Sequence, residues 1–222
     1  MSGIKQNLEE IRNDLGDKVR LVAVSKNHPA EAIIEAYGAG QRIFGENRVQ
    51  EILAKQPFVP TDVEWHMIGH LQTNKVKLIA STVSMIHSVD SLKLLTEISL
   101  QATKCERIID CLLQMYIATE ETKFGLDQKE LFELLTEIRQ NPLPGVRIRG
   151  LMGMASFSDD ASLVRREFHG LKLLFDKIRI DYFNEEPAFN ELSIGMSGDY
   201  PIAIEEGSTL VRIGTKIFGS RY

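Results

Sequence analysis

Eight short apolar runs of strand type recur along the 222-residue chain, at residues 19–25, 42–45, 64–68, 85–89, 111–117, 146–154, 191–194 and 209–213. Segments of helical periodicity separate them, and that alternation limits the fold more than any other feature. Ile4, Leu8, Ile11 and Leu15 open the pattern as one helical stripe before the first run. Later stripes are Leu131, Leu134, Leu135 and Ile138, then Val164, Phe168, Leu171, Phe175 and Ile178. Pro201 and Gly207 bracket a short helix in the manner of an N-terminal Pro and a C-terminal Gly. Strands that alternate with helices pair in parallel, because a parallel neighbour needs a crossover long enough to hold a helix. Eight such units predict an α/β fold, a single (β/α)8 TIM barrel over residues 1–222. An open doubly wound sheet is the competing architecture. The Pro-marked breaks at 56–60 and 141–145 fall between elements and read as loops, with no domain boundary.

Charge and cysteine usage exclude several classes of function. Against 26 Lys and Arg stand 31 Asp and Glu, a formal charge of −5 that removes the electrostatic attraction typical of nucleic-acid and anionic-membrane binders. No nucleic acid and no membrane is expected as partner. No apolar run approaches the roughly 18 residues that span a bilayer. The first 20 residues read as an amphipathic helix rather than a signal peptide. Cys105 and Cys111 form neither a disulfide framework nor a CxxC pair, and they read as packing residues in a cytoplasmic protein.

In a barrel, chemistry gathers where strands end and βα loops begin. Lys26 follows the first strand in Val24-Ser25-Lys26-Asn27-His28-Pro29, at the barrel mouth. A lysine partly desolvated there has an amine available to attack a carbonyl. A solvated loop lysine fits the same position. Ser193-Ile194-Gly195-Met196-Ser197-Gly198-Asp199 ends the seventh strand, and Gly214-Thr215 follows the eighth. Those two turns are the recurring phosphate site of barrels, although tight turning alone also accounts for their glycines. Arg212 lies between Val211 and Ile213 on the opposite face of the last strand. An interior arginine needs an acceptor: a ligand, or a carboxylate such as Glu46 or Glu64. Asn47 and His66 stand at the same rim on strands two and three. His66, His70 and His87 with Glu46 lack any HExxH or paired-carboxylate pattern, so no metal is expected. His28 and His169 read as loop or helix-surface residues, and Met115, Met152 and Met154 as core.

Ala23-Val24-Ser25-Lys26, Phe44-Gly45-Glu46-Asn47, the run from His66 to Lys75 (HMIGHLQTNK) and the run from Gly195-Met196-Ser197 to Phe218-Gly219 together resemble the YggS/PROSC family of pyridoxal phosphate homeostasis proteins. The resemblance covers nearly the whole chain in order. It implies a barrel of the fold-type III pyridoxal-phosphate class, similar to the N-terminal domain of alanine racemase, holding pyridoxal 5′-phosphate as a Schiff base. By residue-wise match Lys26 is the attachment lysine, and Ser197, Gly214 and Thr215 bind phosphate. Arg212 faces the pyridine nitrogen, Asn47 and His66 lie near the ring, and Met154 and Met196 form pocket wall.

The implied role is a carrier and regulator in vitamin B6 homeostasis rather than a robust enzyme, since a permanent cation at the ring nitrogen makes the cofactor a poorer electron sink. PLP-dependent apo-enzymes are candidate recipients, and a monomer is expected. Two alternatives remain: a weak amino-acid racemase or transaminase using the same cofactor, and a cofactor-free Schiff-base aldolase. The chain departs from the family pattern at Tyr116, where asparagine is usual, at Phe124, where a small residue is usual, and at His28, where a second lysine is common.

Overall fold

The computed structural model describes residues 3–118 and 125–219. Eight strands follow one another in a closed barrel: β1 Arg20–Val24, β2 Ile43–Glu46, β3 Glu64–Met67, β4 Val83–Val89, β5 Ile109–Tyr116, β6 Val146–Met154, β7 Glu191–Met196 and β8 Leu210–Ile213. All neighbours pair in parallel, and β8 closes on β1 through Arg20 opposite Leu210 and Val22 opposite Arg212. The predicted (β/α)8 barrel is therefore the observed one, and the open sheet is excluded. The strand predictions hold to within two residues at their ends.

The helices form where the apolar stripes lie. They are α1 Ile4–Leu15, α2 Ala30–Gly38, α3 Val49–Lys55, α4 Val76–Ile79, α5 Leu92–Lys104, α6 Gln128–Gln140, α7 Ala161–Tyr182, α8 Tyr200–Glu205 and α9 Thr215–Phe218. Helix α1 buries Leu8, Ile11 and Leu15, and α7 buries Val164, Phe168, Leu171, Phe175 and Ile178 among others. Side chains satisfy several orphan amides: Ser91 caps α5, Asp160 caps α7, and Asp127 with Glu130 forms a reciprocal capping box on α6. The break at 56–60 is not wholly loop, since Gln56–Phe58 forms a 3-10 turn that continues directly from α3. Among the described residues no helix is long and apolar enough to cross a membrane.

Burial separates two apolar regions. The larger packs the outer faces of the strands against the helices, with Trp65, Phe44, Phe168 and Phe189 fully buried. The smaller fills the barrel axis with Val22, Met85, Leu112, Met152 and Leu210. Charged residues close the N-terminal end of the strands. There Arg149 bridges Asp110 and Glu191, Arg147 pairs with Asp110, and Arg20 with Glu191. This end is thereby plugged by ion pairs, and the open end is the one where the strands finish. Cys111 is buried as expected, but Cys105 caps the end of α5 and is exposed, so only one of the two cysteines packs.

Candidate functional site

At the C-terminal ends of the strands a cavity of about 540 Å³ opens, lined by Lys26, Asn47, Met154, Met196, Ser197, Arg212, Gly214 and Thr215 together with Val24, Ile68, Gly198 and Asp199. Eight of the nine predicted site residues thus share one cavity wall. The ninth, His66, is buried in β3 and does not line it. Met154 belongs to this rim at 39% exposure, not to the core with Met115 and Met152.

Each part of the wall follows from local sequence. Lys26 is half-buried in the turn after β1, where the His28 amide donates to the Ser25 carbonyl at 3.0 Å and Asn27 adopts φ 63°. Asparagine tolerates this left-handed geometry better than most residues, so Asn27 lets the chain reverse immediately after the lysine. Asn47 sits where β2 ends, and its carbonyl oxygen would lie 2.5 Å from any Cβ at Gly69. Glycine there allows the β3 loop to close against Asn47. Across the cavity, the Gly214 amide donates to Ser197 Oγ at 3.3 Å, tying the loops after β7 and β8 together. A Cβ built at Gly198 meets nothing within 4 Å, so bare backbone faces open space. The first amides of α9 have no acceptor within their own helical turn, as at any helix start. Small residues, a hydroxyl and backbone N–H groups together suit an anionic group of phosphate size.

Arg212 forms the floor. It is 4% exposed, donates to the Ser193 carbonyl at 2.7 Å, to Ser193 Oγ at 2.5 Å and to the Gly153 carbonyl at 3.0 Å, and so spends three of its five N–H donors. Neither Glu46 nor Glu64, the carboxylates considered from sequence, is its partner. Among the described residues Arg212 makes no salt bridge, and Asp199 is the anion whose charge it feels. Burial lowers its pKa to about 10, which leaves it cationic at neutral pH. A buried guanidinium with two unspent donors on a cavity wall calls for an electron-rich ligand atom.

Beneath the floor runs a chain of polar contacts that sequence reasoning did not anticipate. Ser193 Oγ lies 3.0 Å from His87 Nδ1, and His87 Nε2 lies 2.9 Å from His66 Nδ1. Arg212 can only donate, so Ser193 Oγ accepts from it with one of its two lone pairs; donation from His87 Nδ1 to the other would leave the hydroxyl hydrogen without an acceptor among the described residues, whereas donation from the hydroxyl to His87 Nδ1 satisfies both groups. His87 then carries its hydrogen on Nε2 and donates to His66 Nδ1, which leaves the His66 hydrogen on Nε2. His66 therefore acts on Arg212 through two intermediaries rather than on the cavity directly. The alternation Met85–His87 on β4 holds the missed signal, since a residue two beyond an axial methionine must also face the axis.

Burial, with a smaller contribution from the Arg20 charge, depresses the His66 pKa to about 3; burial and the His66 and Arg212 charges push His87 well below the ordinary range. Both imidazoles should show nitrogen-15 shifts of the neutral Nε2–H tautomer from pH 8 down to pH 5, and an Nδ1–H signal from either would reverse the chain. Below pH 6.5 the unfolded chain binds protons at these imidazoles and the folded one does not, so His66 removes about 1.4 kcal/mol per pH unit as pH falls toward 3, and His87 acts in the same direction.

The His28 ring packs 5.1 Å from Phe218, at the turn after β1, and His169 bonds Glu206 at 2.9 Å from the surface of α7. Tyr116 keeps its backbone pairing, its amide donating to the Leu126 carbonyl at 3.0 Å, so the departure from asparagine does not break the strand end. Phe124 lies outside the described residues.

Comparison with known proteins places this barrel among relatives. The model of the alanine racemase N-terminal domain matches residues 1–222. The pyridoxal phosphate homeostasis protein of Aquifex aeolicus is 43% identical over 206 residues, covering 91% of this chain and 87% of that protein. The protein of the same name from Vibrio alginolyticus is 38% identical over 236 residues, covering 100% and 99%. Among solved structures, PipY of Synechococcus elongatus PCC7942, determined with PLP bound, superposes with a TM-score of 0.88 at 39% identity over 97% of this chain and all of that one.

Proposed function

The chain belongs to the alanine racemase N-terminal domain family, within its pyridoxal phosphate homeostasis branch, and from that premise we propose that it is a pyridoxal 5′-phosphate carrier and regulator that holds the coenzyme covalently on Lys26. The observation that carries this reading is the pairing, in one cavity, of a half-buried lysine with a buried arginine that has no carboxylate partner among the described residues. Lys26 supplies the amine: its neutral Nζ adds to the aldehyde carbon, a C=N bond replaces C=O, and the oxygen leaves as water. Hydrolysis reverses the step, which suits storage and release. Ser197, Gly198, Gly214 and Thr215 hold the phosphate, Asn47 and the methionines Met154 and Met196 flank the ring, and Arg212 offers its unspent donors to the ring nitrogen. When bound, the coenzyme supplies an electron-withdrawing ring. A fixed guanidinium beside the nitrogen disfavours protonation there and so weakens that withdrawal.

The same proposal includes a single barrel domain acting as a monomer in the cytoplasm, with PLP-dependent apo-enzymes as recipients. Two free cysteines support a reducing compartment. Mass spectrometry of borohydride-reduced protein tests the central point. A coenzyme-sized adduct on the peptide containing Lys26 is expected, whereas colourless protein with no adduct would favour a cofactor-free Schiff-base aldolase. Chiral chromatography after long incubation with amino acids should show no turnover above that of free coenzyme; a clear excess would move the assignment to a racemase.

A further inference from the structure

Behind the lysine turn, on the outer face of β2, lies a buried ionic cluster that the cavity does not use. Gly45 faces the barrel axis, so the next residue, Glu46, points outward beneath α3, where it is fully buried. Lys55, at the end of α3, spends all three ammonium hydrogens: on Glu46 Oε1 at 2.7 Å, on Glu51 Oε2 at 2.8 Å and on the Ser25 carbonyl at 2.9 Å. The two carboxylates in turn grip the residues on either side of Lys26. Glu46 Oε1 accepts from Ser25 Oγ at 2.6 Å, and Glu51 Oε2 accepts from the Asn27 amide at 2.7 Å. Every charged member of this cluster therefore holds the backbone or side chain of a residue adjacent to the lysine.

Burying the Glu46–Lys55 pair, with Glu51 part-exposed beside it, carries a desolvation cost that the mutual attraction of such a pair often does no more than offset. Among the described residues Glu46 Oε2 has no hydrogen-bond partner. Burial raises the Glu46 carboxyl to about 7 against the pull of Lys55 and Ser25, whereas in Glu51 the hydrogen bonds from Lys55 and Asn27 outweigh burial and lower it. Such a costly arrangement, concentrated on the two neighbours of one side chain, serves orientation better than stability.

We propose that Glu46, Glu51 and Lys55 are positioning residues that clamp the Ser25–Asn27 turn so that the Lys26 amine is held in attacking geometry at the cavity wall. The proposal rests on the reading of Lys26 as the attachment amine and adds the residues that make it so. Clamping Ser25 and Asn27 fixes the backbone on both sides of Lys26, which leaves only side-chain rotation to be settled when the aldehyde arrives. Displacing a reacting atom by an ångström costs rate rather than ground-state binding.

The test separates those two quantities in the full-length protein. One measurement is the rate at which the visible band appears on mixing with pyridoxal 5′-phosphate. The other is the dissociation constant of pyridoxine 5′-phosphate, which has an alcohol in place of the aldehyde and cannot bond to the amine. Glu51→Ala is expected to slow the band about tenfold while changing the analogue's affinity less than about twofold, and Glu51→Gln, which keeps an oxygen for the Asn27 amide, should recover to within about threefold. Glu46→Gln, which retains Oε1 as acceptor and alters only the unpartnered oxygen and the charge, should slow the band in the same sense with no loss of analogue binding. Equal losses in both measurements, or no loss in either, would overturn the positioning role. A wild-type protein that binds the analogue yet never develops the band would overturn the Lys26 reading and this proposal with it.

Discussion

Lys26→Ala is expected to abolish the visible band and the borohydride-trapped adduct, and to weaken retention of the coenzyme about a hundredfold through loss of the covalent bond. The barrel should stand. Lys26 is half-buried at the rim, so its truncation leaves no core cavity, and the effect on stability should stay within about 0.5 kcal/mol. Noncovalent binding should persist, because the loops after β7 and β8, joined by the Gly214 amide and Ser197 Oγ, do not depend on the lysine. Gel filtration of the variant with coenzyme, followed by absorbance and peptide mass spectrometry, reads each of these outcomes. An adduct that moves intact to Lys75 or Lys216 would overturn the assignment. Lys216 is the sterner control, since it follows Thr215 directly and its Nζ lies 4.5 Å from the centre of the Tyr200 ring.

The barrel was legible in the sequence because each strand is covered on both faces. Parallel strands between an apolar axis and a helical layer read as unbroken apolar runs, and 146–154 was predicted end to end as β6. The cavity wall was legible for a related reason: its members sit at strand ends or one to two residues beyond, where apolar runs give way to Lys26, Asn47, Ser197 or Gly214-Thr215. What escaped were partnerships between strands. Arg212 invited a carboxylate partner, but the choice of Ser193 and Gly153 depends on barrel register and on the irregularity between Ser193 and Met196 where β7 meets β8. His66 and His87 meet because His66 pairs with Met85 across the β3–β4 register, placing His87 one step further along the axis. Lys55 escaped for another cause, since a lysine ending an amphipathic helix normally reaches for solvent, and only the outward turn of Glu46 after Gly45 draws it in.

Arg212→Ala should be the most destabilising substitution at the site. It leaves the Gly153 and Ser193 carbonyls and Ser193 Oγ without their charged donor in a region 4% exposed, and unsatisfied buried groups of this kind cost about 3 kcal/mol together. For a chain of this size that corresponds to a fall in Tm of about 6–12 °C, measurable by differential scanning calorimetry. Arg212→Lys should restore part of it, since an ammonium reaches one or two of the three acceptors but cannot fork across both strands. Two further consequences separate this from a simple loss of packing. With the guanidinium gone, the carbonyls it held become alternative acceptors for the Ser193 hydroxyl hydrogen, and Ser193 can then accept from His87 Nδ1, so the nitrogen-15 spectrum should show His66 and His87 in mixed tautomers in place of the fixed Nε2–H forms. The Arg212 charge also helps to hold the His87 pKa down, so its removal should raise that pKa and flatten the loss of stability below pH 6.5. A variant that lost several degrees of Tm yet kept both tautomers and the full acid slope would show that the guanidinium packs the floor without ordering the chain beneath it.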